Sequence, residues 1–303
     1  MADLDYTTLL DPKVVSRLLA QPLVTRFPME GNISGHHKSP HRGSSVEFAE
    51  YRNYVPGDDI RRLDWRVFAR SDRFYLKEFE AETNLRCYLL LDCSNSMQFS
   101  SAHGTRFSYA TRLAATLAYL VIQQGDSAGL LCVSDKVRVD IPPKRNPAHV
   151  RLLLQTLAQA RPEGETGLVP ALHEIAEKIR PRALVIILSD LFADPAEINS
   201  ACQHLRFKKH DVVLMHLLDR DEVDFSFDRP VRFVDLESPR AIVTDPTLVR
   251  EEYLKALRAH VAQLQQGANE SKTDYRQIIT DRPYDAVLAD FLTERVRQLA
   301  VGG

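Results

Sequence analysis

The stretch Leu85-Arg86-Cys87-Tyr88-Leu89-Leu90-Leu91 runs without a break into Asp92-Cys93-Ser94-Asn95-Ser96-Met97. Its first half is short, mostly apolar and free of Gly and Pro, which predicts a buried strand rather than an amphipathic helix. The second half is a polar loop. Asp92, Ser94 and Ser96 put oxygen-bearing side chains at alternate positions just past that strand, close enough to converge on one small hard cation. Mg²⁺ binds oxygen at about 2.1 Å in an octahedron and usually keeps some water, so one carboxylate and two hydroxyls leave corners open to a ligand from elsewhere. Against this, Asp and Ser are ordinary turn residues that bond their own backbone. From composition alone, D-x-S-x-S arises in roughly one chain in twenty of this length. Its place directly after a strand lifts it above that background.

Downstream, strand and helix signals alternate. Phe107, Ala110, Leu113, Ala114, Leu117, Leu120 and Val121 recur at helical spacing. Residues 128–133 read as a second strand and 136–141 as a third that pairs with it. Asn146-Pro147 opens a helix with Val150, Leu153, Leu154 and Leu157 on one face, and another helix spans about 168–179. Leu184-Val185-Ile186-Ile187-Leu188 is a β-branched strand ending in Ser189-Asp190-Leu191, Asp194-Pro195 caps the next helix, and 212–218 is a further strand. Short alternating runs over 221–245 predict a small hairpin inserted at the sheet edge. A long helix from about 246 to 266, a last strand at 274–279 and a last helix at 284–299 complete the chain. This succession predicts an α/β fold: a doubly wound, mostly parallel sheet with helices on both faces.

In such a sheet, with strand order 3-2-1-4-5-6, strands one and four lie side by side at the switch point, and ligands bind beyond their carboxyl ends. Strand one ends at Asp92 and strand four at Asp190, so two carboxylates distant in sequence are expected at one crevice. The loop Glu163-Gly164-Glu165-Thr166-Gly167 leads into the helix before strand four and can offer the Thr166 hydroxyl over the same edge. Taken singly, Thr166 reads as a helix N-cap and Asp190 as a solvated strand end. Taken together, Asp92, Ser94, Ser96, Thr166 and Asp190 are an all-oxygen set suited to Mg²⁺ or Mn²⁺ and poor for zinc.

Residues 1–84 differ in texture, and we place the domain boundary at 84/85, with residues 85–303 as the α/β domain. Asp11-Pro12 caps one short helix. Residues 31–45 form a loop carrying His36, His37, Lys38, His41 and Arg42, read as solvated loop chemistry rather than a phosphate or metal site. Residues 46–54 and 64–79 mix aromatics with both charges around Pro56-Gly57-Asp58-Asp59, a type II turn pattern, and predict a β-rich extension. Arg61, Arg62, Trp65, Arg66, Phe68, Arg70, Arg73, Phe74 and Tyr75 resemble a single-strand nucleic-acid surface. Yet Glu47, Glu50, Asp58, Asp59, Asp64, Asp72, Glu78 and Glu80 nearly cancel their charge, which argues for structure instead.

The 303 residues, 44% hydrophobic, suffice for one large domain or two ordinary ones, and a net charge of −2 gives no overall pull toward nucleic acid or anionic membrane. The N-terminus has no basic-then-apolar pattern, so no secretory signal is expected, and no apolar run is long enough to span a bilayer. Cys87, Cys93, Cys132 and Cys202 lack C-x-x-C spacing and read as reduced thiols of a cytoplasmic protein.

Two resemblances follow from these residues. The set Asp92-x-Ser94-x-Ser96, Thr166 and Asp190 resembles the metal-ion-dependent adhesion site of von Willebrand factor A domains, with all five positions filled. The run from Phe48 to Trp65, with Phe79-Glu80-Ala81-Glu82, resembles the signature of the bacterial family called domain of unknown function fifty-eight, over about residues 30–299. That resemblance implies a working relation with a MoxR-type AAA+ ATPase. The function expected is therefore a non-enzymatic adaptor that binds protein through a divalent metal, a partner's Asp or Glu completing the coordination. Asp92 and Asp190 would ligate directly or through water. The alternative is a Mg²⁺- or Mn²⁺-dependent phosphohydrolase, for which His103 and Arg106 are candidate groups, although neither spacing forces its side chain inward. Cys93 is a poorer nucleophile, since alternation turns it away from the metal. Single-strand nucleic-acid binding is the third and weakest reading.

Overall fold

The computed structural model describes residues 6–26 and 85–301 apart from 181 and 238–239, and within the intervening stretch 37–38, 47–53, 67–68, 74–80 and 82–83. The chain forms two compact units, one of Met1–Arg26 with Arg86–Gly303 and one of Phe27–Leu85. Residues 1–26, grouped with the extension on sequence, therefore cluster with the larger unit. In the smaller unit Glu47–Asn53 pairs antiparallel with Tyr75–Glu80, and His37–Lys38 with Glu82–Thr83. The turn at 56–59, and Arg61, Arg62, Trp65, Arg66, Arg70, Arg73, His36, His41 and Arg42, lie outside the described residues.

In the larger unit α1 (Pro12–Leu18) starts as expected, the Asp11 side chain accepting from the Lys13 N–H. There follow β1 (Arg86–Asp92), α2 (Arg106–Gln123), β2 (Ser127–Val133), β3 (Val137–Lys144), α3 (Pro147–Gln159), α4 (Leu168–Lys178) and β4 (Leu184–Ser189). The chain continues with α5 (Pro195–Phe207), β5 (Asp211–Leu218), the short α6 (Arg220–Asp224), a β6–β7 ribbon (Val231–Val234 and Ala241–Thr244), α7 (Pro246–Glu270), β8 (Asp274–Ile279) and α8 (Tyr284–Val301).

One six-stranded sheet runs β3-β2-β1-β4-β5-β8, parallel except for the edge strand β3. This is the expected 3-2-1-4-5-6 order, with β1 beside β4 in the register Leu188↔Leu91. β4 and β5 are buried along their whole length because helices cover both faces. The α2 helix packs with α1, α3 and α8, while α4, α5 and α7 pack together. A core of Leu90, Ile187, Leu214, Leu172, Ile175, Ile198 and Leu264 fills the space under the second group. Each such side chain, fully buried, stabilises by about 1.5–3 kcal/mol.

Two details depart from the sequence expectation. The third strand runs on through Pro142 and Pro143 to Lys144. It is an edge strand, and the two prolines fall where its register with β2 shifts, the place in a sheet where proline is tolerated. A Cβ on Gly129 of β2 would lie 2.6 Å from the Ile141 carbonyl oxygen, so this close approach demands glycine. The β6–β7 ribbon is a separate antiparallel pair following β5, an interior strand.

Candidate metal centre

The β1–β4 pairing sets Asp92 at the end of one strand and Ser189-Asp190 at the end of its neighbour. Asp92 is buried, accepting the Ser94 N–H at 2.9 Å through Oδ1 and the Ser189 hydroxyl at 2.5 Å through Oδ2. The loop after it turns into a short 3₁₀ segment, Asn95–Gln98. That turn brings the Ser94 and Ser96 hydroxyls, both buried, to 2.9 Å from each other. Cys93 points elsewhere, its thiol near the Leu91 carbonyl, and contact with Cys132 together with burial pushes that thiol's pKa up.

Asp190 is 4% exposed rather than solvated. The reason is Arg106, at the start of α2, which corrects its own expectation as well: the guanidinium is buried. It donates to the Ser96 carbonyl at 2.6 Å, lies 3.1 Å from Asp190 Oδ2 and bonds both oxygens of Glu222 at 2.9 and 3.0 Å. Three groups share one positive charge. Asp190 Oδ2 is buried with no aligned hydrogen bond, only this ion pair. Among the described residues no Lys, Arg or His lies within ion-pair distance of Asp92. Burial, and then the Asp190 charge, push the Asp92 carboxyl up to about 6. His216, opposite Ser189, adds no charge, because burial holds it down to about 3.

Thr166 is brought alongside by its loop. The Glu163 N–H donates to the Cys93 carbonyl at 2.7 Å and the Asn95 N–H to the Gly164 carbonyl at 3.0 Å. Gly167 presses on the Asp135 backbone, where a Cβ would collide. The N-cap of α4 is Gly167 and not Thr166. The Thr166 hydroxyl instead donates to Glu237 Oε1 at 2.6 Å, and its N–H donates to Oε2 at 3.1 Å. Glu237 belongs to the turn between β6 and β7.

Two of the donors stand at a spacing that a hard divalent ion accepts. Two oxygens at adjacent corners of an Mg²⁺ octahedron of about 2.1 Å radius stand about 3 Å apart, and the two serine hydroxyls are 2.9 Å apart. Among the described residues no three His, Cys, Asp or Glu side chains form a metal cluster. The set here is built on hydroxyls with two carboxylates, which suits Mg²⁺ or Mn²⁺. Sequence reading missed Ser189, Glu222 and Glu237. Asp219-x-x-Glu222 is a capping box, realised in α6, so Glu222 had a signal. Glu237 had none.

The strand order β3-β2-β1-β4-β5-β8 with helices on both faces defines the class, a doubly wound, mostly parallel α/β domain. The chain belongs to the family described as protein of unknown function DUF58, which matches residues 50–263. It is 28% identical over 297 residues to the uncharacterized protein Rv1480 of Mycobacterium tuberculosis, covering 96% of this chain and 93% of that one. Among solved structures it is similar to the conserved hypothetical protein BatB of Bacteroides thetaiotaomicron (TM-score 0.47, 14% identity, 72% of this chain and 99% of that one). It is also similar to the SpRpn10 VWA domain (TM-score 0.39, 11% identity, 68% and 93%). Among the described residues no helix is long and apolar enough to cross a membrane.

Proposed function

We propose that this chain is a non-enzymatic adaptor that binds a partner protein through a divalent metal held by Ser94, Ser96 and Thr166, with Asp92 and Asp190 ligating directly or through water. The observation that carries the reading is the pair of buried hydroxyls 2.9 Å apart beside a buried carboxylate that no cation compensates among the described residues. A bound Mg²⁺ would supply that missing charge and leave a corner for a partner's Asp or Glu.

The partner we favour is a MoxR-type AAA+ ATPase or its client, with this chain working in assembly or maturation of a larger complex. A phosphohydrolase needs a free base or phosphate clamp. His103 is exposed, Arg106 is committed to Asp190 and Glu222, and the Cys93 thiol is held protonated.

The test is capture of a purified MoxR-type ATPase by the full chain in Mg²⁺ and in chelator. Capture is expected only in Mg²⁺, and only without the Asp92→Ala substitution. Equal capture in chelator, or Mn²⁺-dependent turnover of phosphoesters lost on Asp92→Ala, contradicts the adaptor reading.

A further inference from the structure

Glu237 is a half-buried carboxylate with an unusual set of partners. Both oxygens are spent on one residue, accepting the Thr166 O–H at 2.6 Å and the Thr166 N–H at 3.1 Å. Among the described residues no Lys, Arg or His lies within ion-pair distance of it. Its backbone is fixed from behind, since the Glu237 N–H donates to Asp235 Oδ1 at 2.9 Å and the Asp235 N–H to the Arg240 carbonyl at 2.9 Å. The ribbon thus presents a preformed carboxylate to the one candidate metal donor that does not lie at the β1 or β4 end.

We infer that Glu237 is a built-in ligand of the metal site: with the ion bound it takes, directly or through one water, the corner that a partner's carboxylate must claim, tying the β6–β7 ribbon over the site until it is displaced. The inference rests on the metal reading of Asp92, Ser94, Ser96, Thr166 and Asp190. Charge supports it. The single cation of Arg106 is shared between Asp190 and Glu222, and neither Asp92 nor Glu237 has a cation within ion-pair distance among the described residues, so negative charge remains there for a divalent ion to balance. Geometry supports it too, because a threonine hydroxyl that gives its proton to a carboxylate keeps oxygen lone pairs for a metal. A partner would therefore meet an occupied site, and its affinity would be lowered by the cost of lifting the ribbon.

A simpler role competes. Glu237 stands at the N-terminal end of α4, whose cap lacks a side-chain bond, and a carboxylate is favourable there without any metal. The two roles separate in a Mn²⁺ titration of the full chain, read by the electron paramagnetic resonance of free Mn²⁺ and by water-proton relaxation. Wild type, Glu237→Gln and Asp92→Asn are compared. With Glu237 at the metal, Glu237→Gln weakens Mn²⁺ binding by about 10-fold, within the 10- to 100-fold range for such ligand-shell changes, and alters the number of rapidly exchanging waters. Hydrogen exchange over residues 231–244 then slows on Mn²⁺ addition in wild type and not in Glu237→Gln. If Asp92→Asn abolishes Mn²⁺ binding while Glu237→Gln leaves affinity, water count and exchange unchanged, Glu237 is only a cap and the metal site stands. If wild type takes up no Asp92-dependent Mn²⁺, both fall together. Should Glu237→Gln fail to fold, the exchange measurement on wild type decides alone: no slowing of the ribbon in Mn²⁺ overturns the inference.

Discussion

The two ends of the central sheet both bury carboxylates, and they handle the charge in opposite ways. At the amino ends Asp211 and Asp274 are met by Arg295, itself 0% exposed, which pairs with Asp211 and lies 3.2 Å from Asp274 Oδ2. Arg276 adds a second contact to Asp274 at 2.7 Å, and the Arg26 N–H and guanidinium reach Asp211. Arg295 also donates to the Val24 carbonyl at 2.7 Å, so this cluster stitches the N-terminal segment to the sheet. At the carboxyl ends one arginine, Arg106, serves Asp190 and Glu222, while Asp92 has no cation among the described residues and its carboxyl sits at about 6. One end brings its own counterions and is a structural clamp. The other is short of positive charge among the described residues.

The largest effect should come from breaking the clamp. Arg295→Ala removes the fully buried cation that two carboxylates share, leaving Asp211 with Arg26 and Asp274 with Arg276, and is expected to cost about 3–5 kcal/mol of stability in urea unfolding, with Mn²⁺ affinity of the folded fraction unchanged. Asp92→Asn should do the reverse. It should weaken Mn²⁺ binding by about 100-fold, the upper part of the range for ligand-shell changes, yet shift stability in chelator by no more than about 1 kcal/mol, since one hydrogen-bonding oxygen is kept. A smaller loss of about tenfold is expected for Thr166→Val, which removes a donor without touching the sheet. If Arg295→Ala and Asp92→Asn both lower stability and metal affinity in parallel, the two ends are not the separate devices described.

Acid should act on the two ends with opposite sign. Burial holds His210, just before β5, down to about 4, and its Nδ1 accepts the Ala183 N–H at 3.2 Å. Its contribution to stability is present above the ordinary histidine value and is lost as pH falls toward 4. Asp92 runs the other way, because its folded pKa is raised. Its contribution is present below the ordinary carboxylate value and is lost as pH rises through about 6. In chelator, stability profiles from pH 7 to 4 should therefore steepen in Asp92→Asn and flatten in His210→Asn. Metal binding needs the ionised carboxylate, so Mn²⁺ affinity should fall about tenfold per pH unit below 6.

How legible each part was follows from what holds it. The strand order and the meeting of Asp92 with Asp190 could be read from the chain, because short apolar runs and the switch-point rule fix them before any side chain is placed. Ser94 and Ser96 follow from local spacing. Arg106 was legible as a residue but not as a buried one, since its burial is driven by Asp190 and by Glu222, more than a hundred positions away. Taken singly, Thr166 reads as a cap because hydroxyls before helices usually are, and only the company of Asp92, Ser94, Ser96 and Asp190 makes it a candidate metal donor. Its actual partner, Glu237, comes from an irregular ribbon with no periodic signal. Tertiary charge pairing decided the features that local pattern could not.

Anomalous diffraction from a crystal grown in Mn²⁺ settles whether the carboxyl end receives a cation. One peak per chain is expected, at about 2.2 Å from the Ser94 and Ser96 hydroxyl oxygens, a little beyond the Mg²⁺–oxygen distance. No peak there in a chain with Mn²⁺ in excess, or a peak that persists in Asp92→Asn, would contradict it.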